Sequence, residues 1–588
     1  MYENLPATMA NAAHLYKMGR LEDAAQICAV ILQEQNENFE ALHLLGVIRW
    51  TQGRLQEALT LQETALAAKP ESYGANTYIG VILADLGRFE EAIYSYRRAL
   101  EIKPDYAEVH NNLGNVLRAV GRLEEAIASY CRALAIKPDF AEAHFNLGYT
   151  FHALSRYEQA ISSYQRALAI KPDYAVAHYN CGVALQALRR HEEAIASYRT
   201  VLATNPGYAW AHNNLGTQLD ALNRYEEAIA CYHNALSIKP DFAEAHNNLG
   251  IVLAALGRHK EAIASYNNAL RIKSDYADAH RNKGFASLAM GDFETGWPEY
   301  EWRWETAQGL SEKRSFTQPL WLGREDIAGK TILLYGEQGL GDTIQFVRYL
   351  PLVATMGGTV ILEVQPGLKT LFENLKGANA ILEHGEPLPS FDVHCPLMSL
   401  PLAFKTRSAA IPASIPYILP DPGRQTEWEK RLHHCEHPRI GIAWSGNPNV
   451  KRDRNRSIPL QKLMPLIRKT GLTFYVLQKE IRTEDFELLK SSTSFINYSA
   501  QLSDFADTAA LMSFMDLVIS TDTSLAHLAG AMGKPTWILL MFSADWRWLL
   551  NRQDSPWYPT VRLLRQPKVC DWESVIESVS LECKKLFL

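Results

Sequence analysis

The 588-residue sequence predicts an α-helical solenoid followed by an α/β region of two lobes, each with a parallel sheet. Three observations predict it. A pattern of small residues, arginines and prolines repeats every 34 residues through the first half. That period stops near Leu310. From Lys330 onward, short apolar runs alternate with helical segments, the pattern of strand–helix–strand units.

The repeat is read from Gly19-Arg20, which recurs as Gly53-Arg54, Gly87-Arg88 and Gly121-Arg122. The variants Ser155-Arg156, Arg189-Arg190 and Asn223-Arg224 follow, and then Gly257-Arg258 and Gly291-Asp292. A second column of glycines runs in phase from Gly46 to Gly284, and prolines recur from Pro70 to Pro240. Each unit is two amphipathic helices joined by a tight turn. Small residues let the helices approach closely, and the proline helps end the second helix. One unit cannot bury its apolar face alone, so units stack. Small residues at unit positions 8, 20 and 27 with proline at 32 resemble the tetratricopeptide repeat. Eight repeats are expected between about Leu5 and Tyr276, with an altered ninth from Ala277 to about Leu310. The ninth carries Trp297-Pro298 and Tyr300-Glu301-Trp302-Arg303-Trp304, read as packing at the junction with the next domain.

Unit position 6 is asparagine in six successive repeats: Asn112, Asn146, Asn180, Asn214, Asn248 and Asn282. A carboxamide donates and accepts, so a ladder of them can hold an extended peptide backbone. The other reading is that asparagine is simply common there. The ladder resembles that of eukaryotic protein O-linked N-acetylglucosamine transferases, which implies a protein or peptide acceptor in the repeat groove.

In the second half a linker is expected over residues 311–329, a first lobe over 330–420 and a second over 437–588, with a proline-rich hinge from Ile411 to Pro422. Strands are expected at Thr331–Tyr335, Thr359–Val364, Ala380–Glu383 and Asp392–Cys395. A second set is expected at Arg439–Trp444, Thr473–Leu477, Phe495–Asn497, Leu517–Ser520, Thr536–Leu540 and Thr560–Leu564. A helix closes the chain at Trp572–Phe587. Lobes of this kind place a ligand cleft between them, at the carboxyl ends of the strands.

Two stretches carry chemistry. Gly336-Glu337-Gln338-Gly339-Leu340-Gly341-Asp342 follows the first strand, and its three glycines allow a ligand close to the backbone. A helix is expected over Thr343–Leu350, with Asp342 ending the loop. The spacing G-x-x-G-x-G is not that of a dinucleotide fingerprint. Thr521-Asp522-Thr523-Ser524, with His527 four residues beyond Thr523, joins a strand to a helix start and forms an anion site. The latter resembles the diphosphate-binding motif of bacterial heptosyltransferases, transferases of the GT-B fold. Leu340-Gly341-Asp342 is similar to their loop ending in the proposed catalytic base.

That resemblance implies Asp342 as base, with a nucleotide-sugar bound by Gly341, Ser445, Arg456, Gln478, Lys479, Asp522, Thr523, Ser524 and His527. Lys451 and Arg454 are nearby substitutes for Arg456. The loops Asp545–Trp548 and Ser555–Pro559 are placed beside the donor or in packing. It also implies an inverting reaction with no metal and no cofactor, the nucleotide-sugar being substrate.

A net charge of −6 argues against nucleic-acid partners. No segment of 18 uninterrupted apolar residues and no signal peptide are evident, and the eight cysteines form no C-x-x-C pair, so a cytoplasmic protein with reduced thiols is expected. The competing expectation is a non-catalytic protein-binding adaptor with an inactive transferase-like half.

Overall fold

A computed structural model of the chain describes residues 8–412, 414–432, 437–447 and 453–588. The chain forms two compact units, Met1–Lys239 and Pro240–Leu588.

The first unit consists of helix pairs, from Met9–Lys17 with Leu21–Glu34 to Ala209–Ala221 with Tyr225–Ile238. The turn glycines Gly19, Gly53, Gly87 and Gly121 lie at φ 75–79°, and Ser155, Arg189 and Asn223 hold the same left-handed conformation at φ 57–59°. The arginine after each turn precedes the next helix and in most repeats pairs with an acid three residues on, as in Arg54–Glu57, Arg88–Glu91 and Arg224–Glu227, whereas Arg156 pairs with Glu124 of the preceding repeat. These pairs are exposed and contribute little stability each. The second glycine column has a steric cause. A Cβ on Gly80, Gly114, Gly148, Gly182 or Gly216 would stand 2.6–2.8 Å from the ring of Tyr96, Tyr130, Tyr164, Tyr198 or Tyr232 on the paired helix. Those tyrosines are fully buried, so each glycine is the socket for one ring.

The second unit begins with two more pairs, Ala243–Ala255 with His259–Ile272 and Ala277–Ala289 with Phe293–Tyr300. Two parallel sheets follow. The first contains β1 (Thr331–Tyr335), β2 (Thr359–Val364), β3 (Ala380–Glu383) and β4 (Val393–Pro396), in the order β3-β2-β1-β4. The second contains β5 (Ile440–Ala443), β6 (Phe474–Val476), β7 (Phe495–Asn497), β8 (Leu517–Thr521), β9 (Thr536–Leu540) and β10 (Val561–Arg565), in the order β10-β9-β8-β5-β6-β7. Every expected strand is present, with ends shifted by one residue at most. The closing helix spans Trp572–Phe587.

Strand order reverses between β1 and β4 in one sheet and between β5 and β8 in the other. Ligands bind α/β sheets at such switch points. Both chemistry-bearing stretches emerge there, one after β1 and one after β8.

Two local readings change. The helix after β1 spans Leu340–Phe346, so it begins three residues earlier than expected and Asp342 lies in its first turn. The expected linker is packed: Trp321 is 1% exposed, its N–H donates to the His394 carbonyl at 2.8 Å, and Leu320 bridges His394 in parallel. Within the hinge stretch, Tyr417 N–H donates to the Ala531 carbonyl at 3.0 Å and Ile418 is buried. The last repeat and both lobes share one apolar core, in which Trp297 and Tyr300 pack with residues of both sheets, as the junction reading expected. Among the described residues no helix is long and apolar enough to cross a membrane. Cys28, Cys181, Cys395 and Cys583 are buried free thiols, whereas Cys131 and Cys570 are exposed; Cys435 lies outside the described residues.

Candidate active site

The two stretches meet, although about 180 residues separate them in sequence. A Cβ on Gly341 would stand 2.9 Å from His527 Cδ2 and 3.3 Å from Ser524 Cα. The helix carrying Asp342 therefore packs directly on the helix start at Ser524, and only glycine fits at the contact. Asp342, Gly341, Asp522, Thr523, Ser524 and His527 thus form one cluster.

The Asp342 carboxylate is fully engaged. Its Oδ2 accepts from Gly339 N–H at 2.8 Å, closing the first helical turn, and its Oδ1 accepts from Arg547 Nη2. Arg547 also donates to Gln345 Oε1 at 2.6 Å and Asp545 Oδ1 at 2.8 Å, and its side chain is 7% exposed. Asp545 and Asp342 hold its charge firmly in place. The sequence marked Asp545–Trp548 only as a loop beside the site. The direct hold of Arg547 on Asp342 was not foreseen, and an arginine between two tryptophans was its only signal.

His527 is buried. Burial and the charges of Arg547, Arg348 and Arg456 push its pKa well below the ordinary histidine value, so the ring is neutral at pH 7. Its Nδ1 lies 3.0 Å from Tyr558 Oη and its ring stacks on Trp548 at 5.2 Å. Trp546, Trp548, Trp557 and Tyr558 are all buried, so these aromatics form the wall behind the cluster. Arg348 lies under Tyr558, 4.6 Å from the ring centroid, and donates to the Trp557 carbonyl at 2.8 Å.

Thr523 caps the helix Ser524–Ala531 and its Oγ1 lies 3.3 Å from Ser520 Oγ. Helix geometry leaves the first amides of that helix without intrahelical acceptors. Thr521 ends β8 and is fully buried rather than standing in the turn. Burial, together with the neighbouring Asp545 charge, pushes the Asp522 carboxyl up to about 6.

Arg456, Ser445 and Gln478 belong to the network around the loop after β5. Arg456 Nη1 reaches the Asp522 carbonyl at 3.3 Å and its Nε donates to Asp453 at 3.1 Å, which brings it to the same helix start. Ser445 Oγ accepts from Gln478 Nε2 at 3.0 Å, and Gln478 Oε1 accepts from Trp444 N–H at 2.9 Å. Gln478 is 4% exposed and fastens this loop from beneath. Lys479 Nζ donates to the Ser503 carbonyl at 2.7 Å. Lys451 and the Arg454 side chain lie outside the described residues.

The asparagine column is half-buried throughout. In the first unit Asn146 Nδ2 donates to Asn111 Oδ1 at 3.0 Å, Asn214 Nδ2 to Tyr179 Oη at 3.1 Å and Asn180 Nδ2 to the Val176 carbonyl at 2.8 Å. In the second unit Asn282 Nδ2 donates to Asn247 Oδ1 at 3.0 Å. Asn112 and Asn248 hold the same helical position. Position 6 therefore often bonds position 5 of the preceding repeat.

Comparison with known proteins concerns the repeats. Family profiles described as "TPR repeat" match residues 80–121, 114–155, 148–188, 221–257 and 252–291. Profiles described as "Tetratricopeptide repeat" match 9–72, 177–208 and 197–230. Protein FlbA of Caulobacter vibrioides is 28% identical over 311 residues, which is 48% of this chain and 51% of FlbA. The chain thus spans about half the length of that curated relative. Among solved structures, MamA is 27% identical with a TM-score of 0.27, covering 28% of this chain and 97% of MamA. YrrB, titled "a TPR protein with an unusual peptide-binding site", is 23% identical with a TM-score of 0.30, covering 31% of this chain and 95% of YrrB. Residues 9–72 and 80–291 are accordingly tetratricopeptide repeats, followed by an α/β region of two parallel sheets.

Proposed function

We propose that the α/β region is a GT-B glycosyltransferase similar to heptosyltransferases. It would move a sugar from a nucleotide-sugar to a hydroxyl on a protein or peptide presented by the repeats. One observation carries the reading: Gly341-Asp342 from the first sheet stands against Ser524 and His527 from the second, at the switch points of both. The donor diphosphate lies at the Ser524 helix start, with Arg456 beside it supplying positive charge. Asp342 takes the proton of the acceptor hydroxyl as that oxygen attacks the anomeric carbon, and the nucleoside diphosphate leaves with inversion. For this, Arg547 must give up one oxygen of Asp342 when the donor arrives. The repeats hold the acceptor backbone through the carboxamides of the asparagine column.

The test is turnover of nucleotide-sugars by the full chain, followed by mass spectrometry of an added acceptor protein. Asp342→Asn abolishes transfer and leaves donor binding intact; retained transfer removes Asp342 from the base role. Alanine at all six column asparagines weakens protein acceptor use and leaves donor hydrolysis unchanged. The adaptor reading gains if no nucleotide or nucleotide-sugar binds.

A further inference from the structure

The aromatic run that ends the ninth repeat does more than fill the junction. Two of its residues, Tyr300 and Arg303, reach the loop that precedes Asp342. The Gln338 carboxamide brackets Tyr300 Oη, with Nε2 at 2.9 Å and Oε1 at 3.1 Å. Arg303 Nη2 donates to Glu337 Oε1 at 2.8 Å and to Ser399 Oγ at 2.7 Å. Arg303 Nη1 donates to Glu301 Oε1 at 2.5 Å, and Ser399 Oγ donates to Glu301 in turn. The Arg303 and Glu337 side chains are only 5% and 6% exposed. Ser399 follows β4, so this network closes the switch point of the first sheet from the repeat side.

The loop needs such a hold. Gln338 sits at φ 64°, the left-handed region that a non-glycine residue adopts at a cost. Among the described residues the other side-chain bond to it comes from Gln365 Nε2, at 3.2 Å to the Gln338 carbonyl. Gly339 follows directly, and its N–H is one of the two groups that fix Asp342. Burial, aided by the nearby Glu301, pushes Glu337 up to about 8 against the opposing charge of Arg303. At neutral pH Glu337 is therefore protonated beside the Arg303 guanidinium. Glu337 Oε2 is buried with no hydrogen-bond partner among the described residues.

We propose that Tyr300 and Arg303 of the last repeat are positioning residues that fix the Glu337–Gln338 turn, and through Gly339 the orientation of Asp342. The repeat array then supplies part of the framework of the site, beyond presenting an acceptor. The catalytic consequence rests on the function proposed above, whereas the structural hold can be measured without it.

The test uses the full chain with Tyr300→Phe, which keeps the ring and removes the hydroxyl, and Arg303→Lys, which keeps a charge and loses the fork. Hydrogen exchange is read in peptides covering residues 336–346, with β8 as internal control. Amides there exchange about tenfold faster in both variants while β8 is unchanged. Where turnover is present, kcat falls at least fivefold with donor KM within twofold. Unchanged protection of 336–346 in both variants overturns the proposal, whether or not the chain transfers sugar. Absence of turnover in the wild type with faster exchange in the variants leaves the positioning established and removes the transferase reading instead.

Discussion

The Arg547–Asp342 pair joins the two lobes at the site, and its weight follows from the geometry. Replacing Arg547 by Gln removes three charge-assisted or polar bonds, to Asp342, Asp545 and Gln345. It leaves two carboxylates facing each other without their cation. Breaking a buried pair by removing one partner costs about 3–5 kcal/mol. The carboxylates here are partly solvated, Asp342 at 20% and Asp545 at 33% exposure, and water recovers part of that loss. A cost of about 2–3 kcal/mol results. Asp342→Asn leaves Arg547 still paired with Asp545 and should cost about 1 kcal/mol. The two changes share one interaction, so the double variant should be less destabilised than their sum by at least about 1 kcal/mol. Urea unfolding of the full chain, followed by tryptophan fluorescence, reads all four proteins; the buried Trp546, Trp548 and Trp557 surround the pair. Energies that add to within about 0.3 kcal/mol would mean that the two groups do not interact, and the description of the site would fall with them.

Three further outcomes follow. Gly341→Ala places a methyl 2.9 Å from His527 Cδ2, so it should lower nucleotide affinity at least tenfold in calorimetric titration; unchanged affinity would show that the interlobe contact does not shape the donor site. Glu337 has a folded-state pKa raised to about 8, so its contribution to stability is complete below the ordinary carboxylate value and is lost as pH rises towards 8. Glu337→Gln should flatten the decline in unfolding free energy between pH 5 and 8, in a setting that also includes Glu301, Arg303, Asp342, Tyr335 and Cys395; an identical pH profile would contradict it. Asn146→Ala removes the bond to Asn111 and should destabilise the first unit by about 1 kcal/mol, seen as a lower urea midpoint; no change would leave the column with a peptide-binding role alone.

Much of this architecture was legible because its causes are local or periodic. The 34-residue spacing revealed the repeats through the turn glycines and through the glycines that accept a tyrosine ring. The strands were legible because buried parallel strands are continuous apolar runs. The start of the helix at Leu340 was missed because its N-cap is Gly339, and the bond that closes the first turn comes from Asp342, a residue read as belonging to the loop. Within the site, motif spacing found Asp342 and Thr523–His527 separately. Their meeting depends on chain topology. The roles of Arg547 and Arg303 were not legible because each acts on a carboxylate distant in sequence, at 205 and 34 residues. The resemblance places Gln478 among the donor-binding residues, and nothing in the sequence tells a ligand-facing amide from one that also fastens a neighbouring loop.

The central claim is that Gly341-Asp342 and Ser524–His527 enclose one nucleotide-sugar. Calorimetric titration of the full chain with ADP, UDP, GDP, CMP and dTDP tests it most directly. The account predicts saturable one-to-one binding of one of them, weakened at least tenfold by Arg456→Ala and retained by Asp342→Asn. Binding of none of the five, or binding indifferent to Arg456, would contradict it.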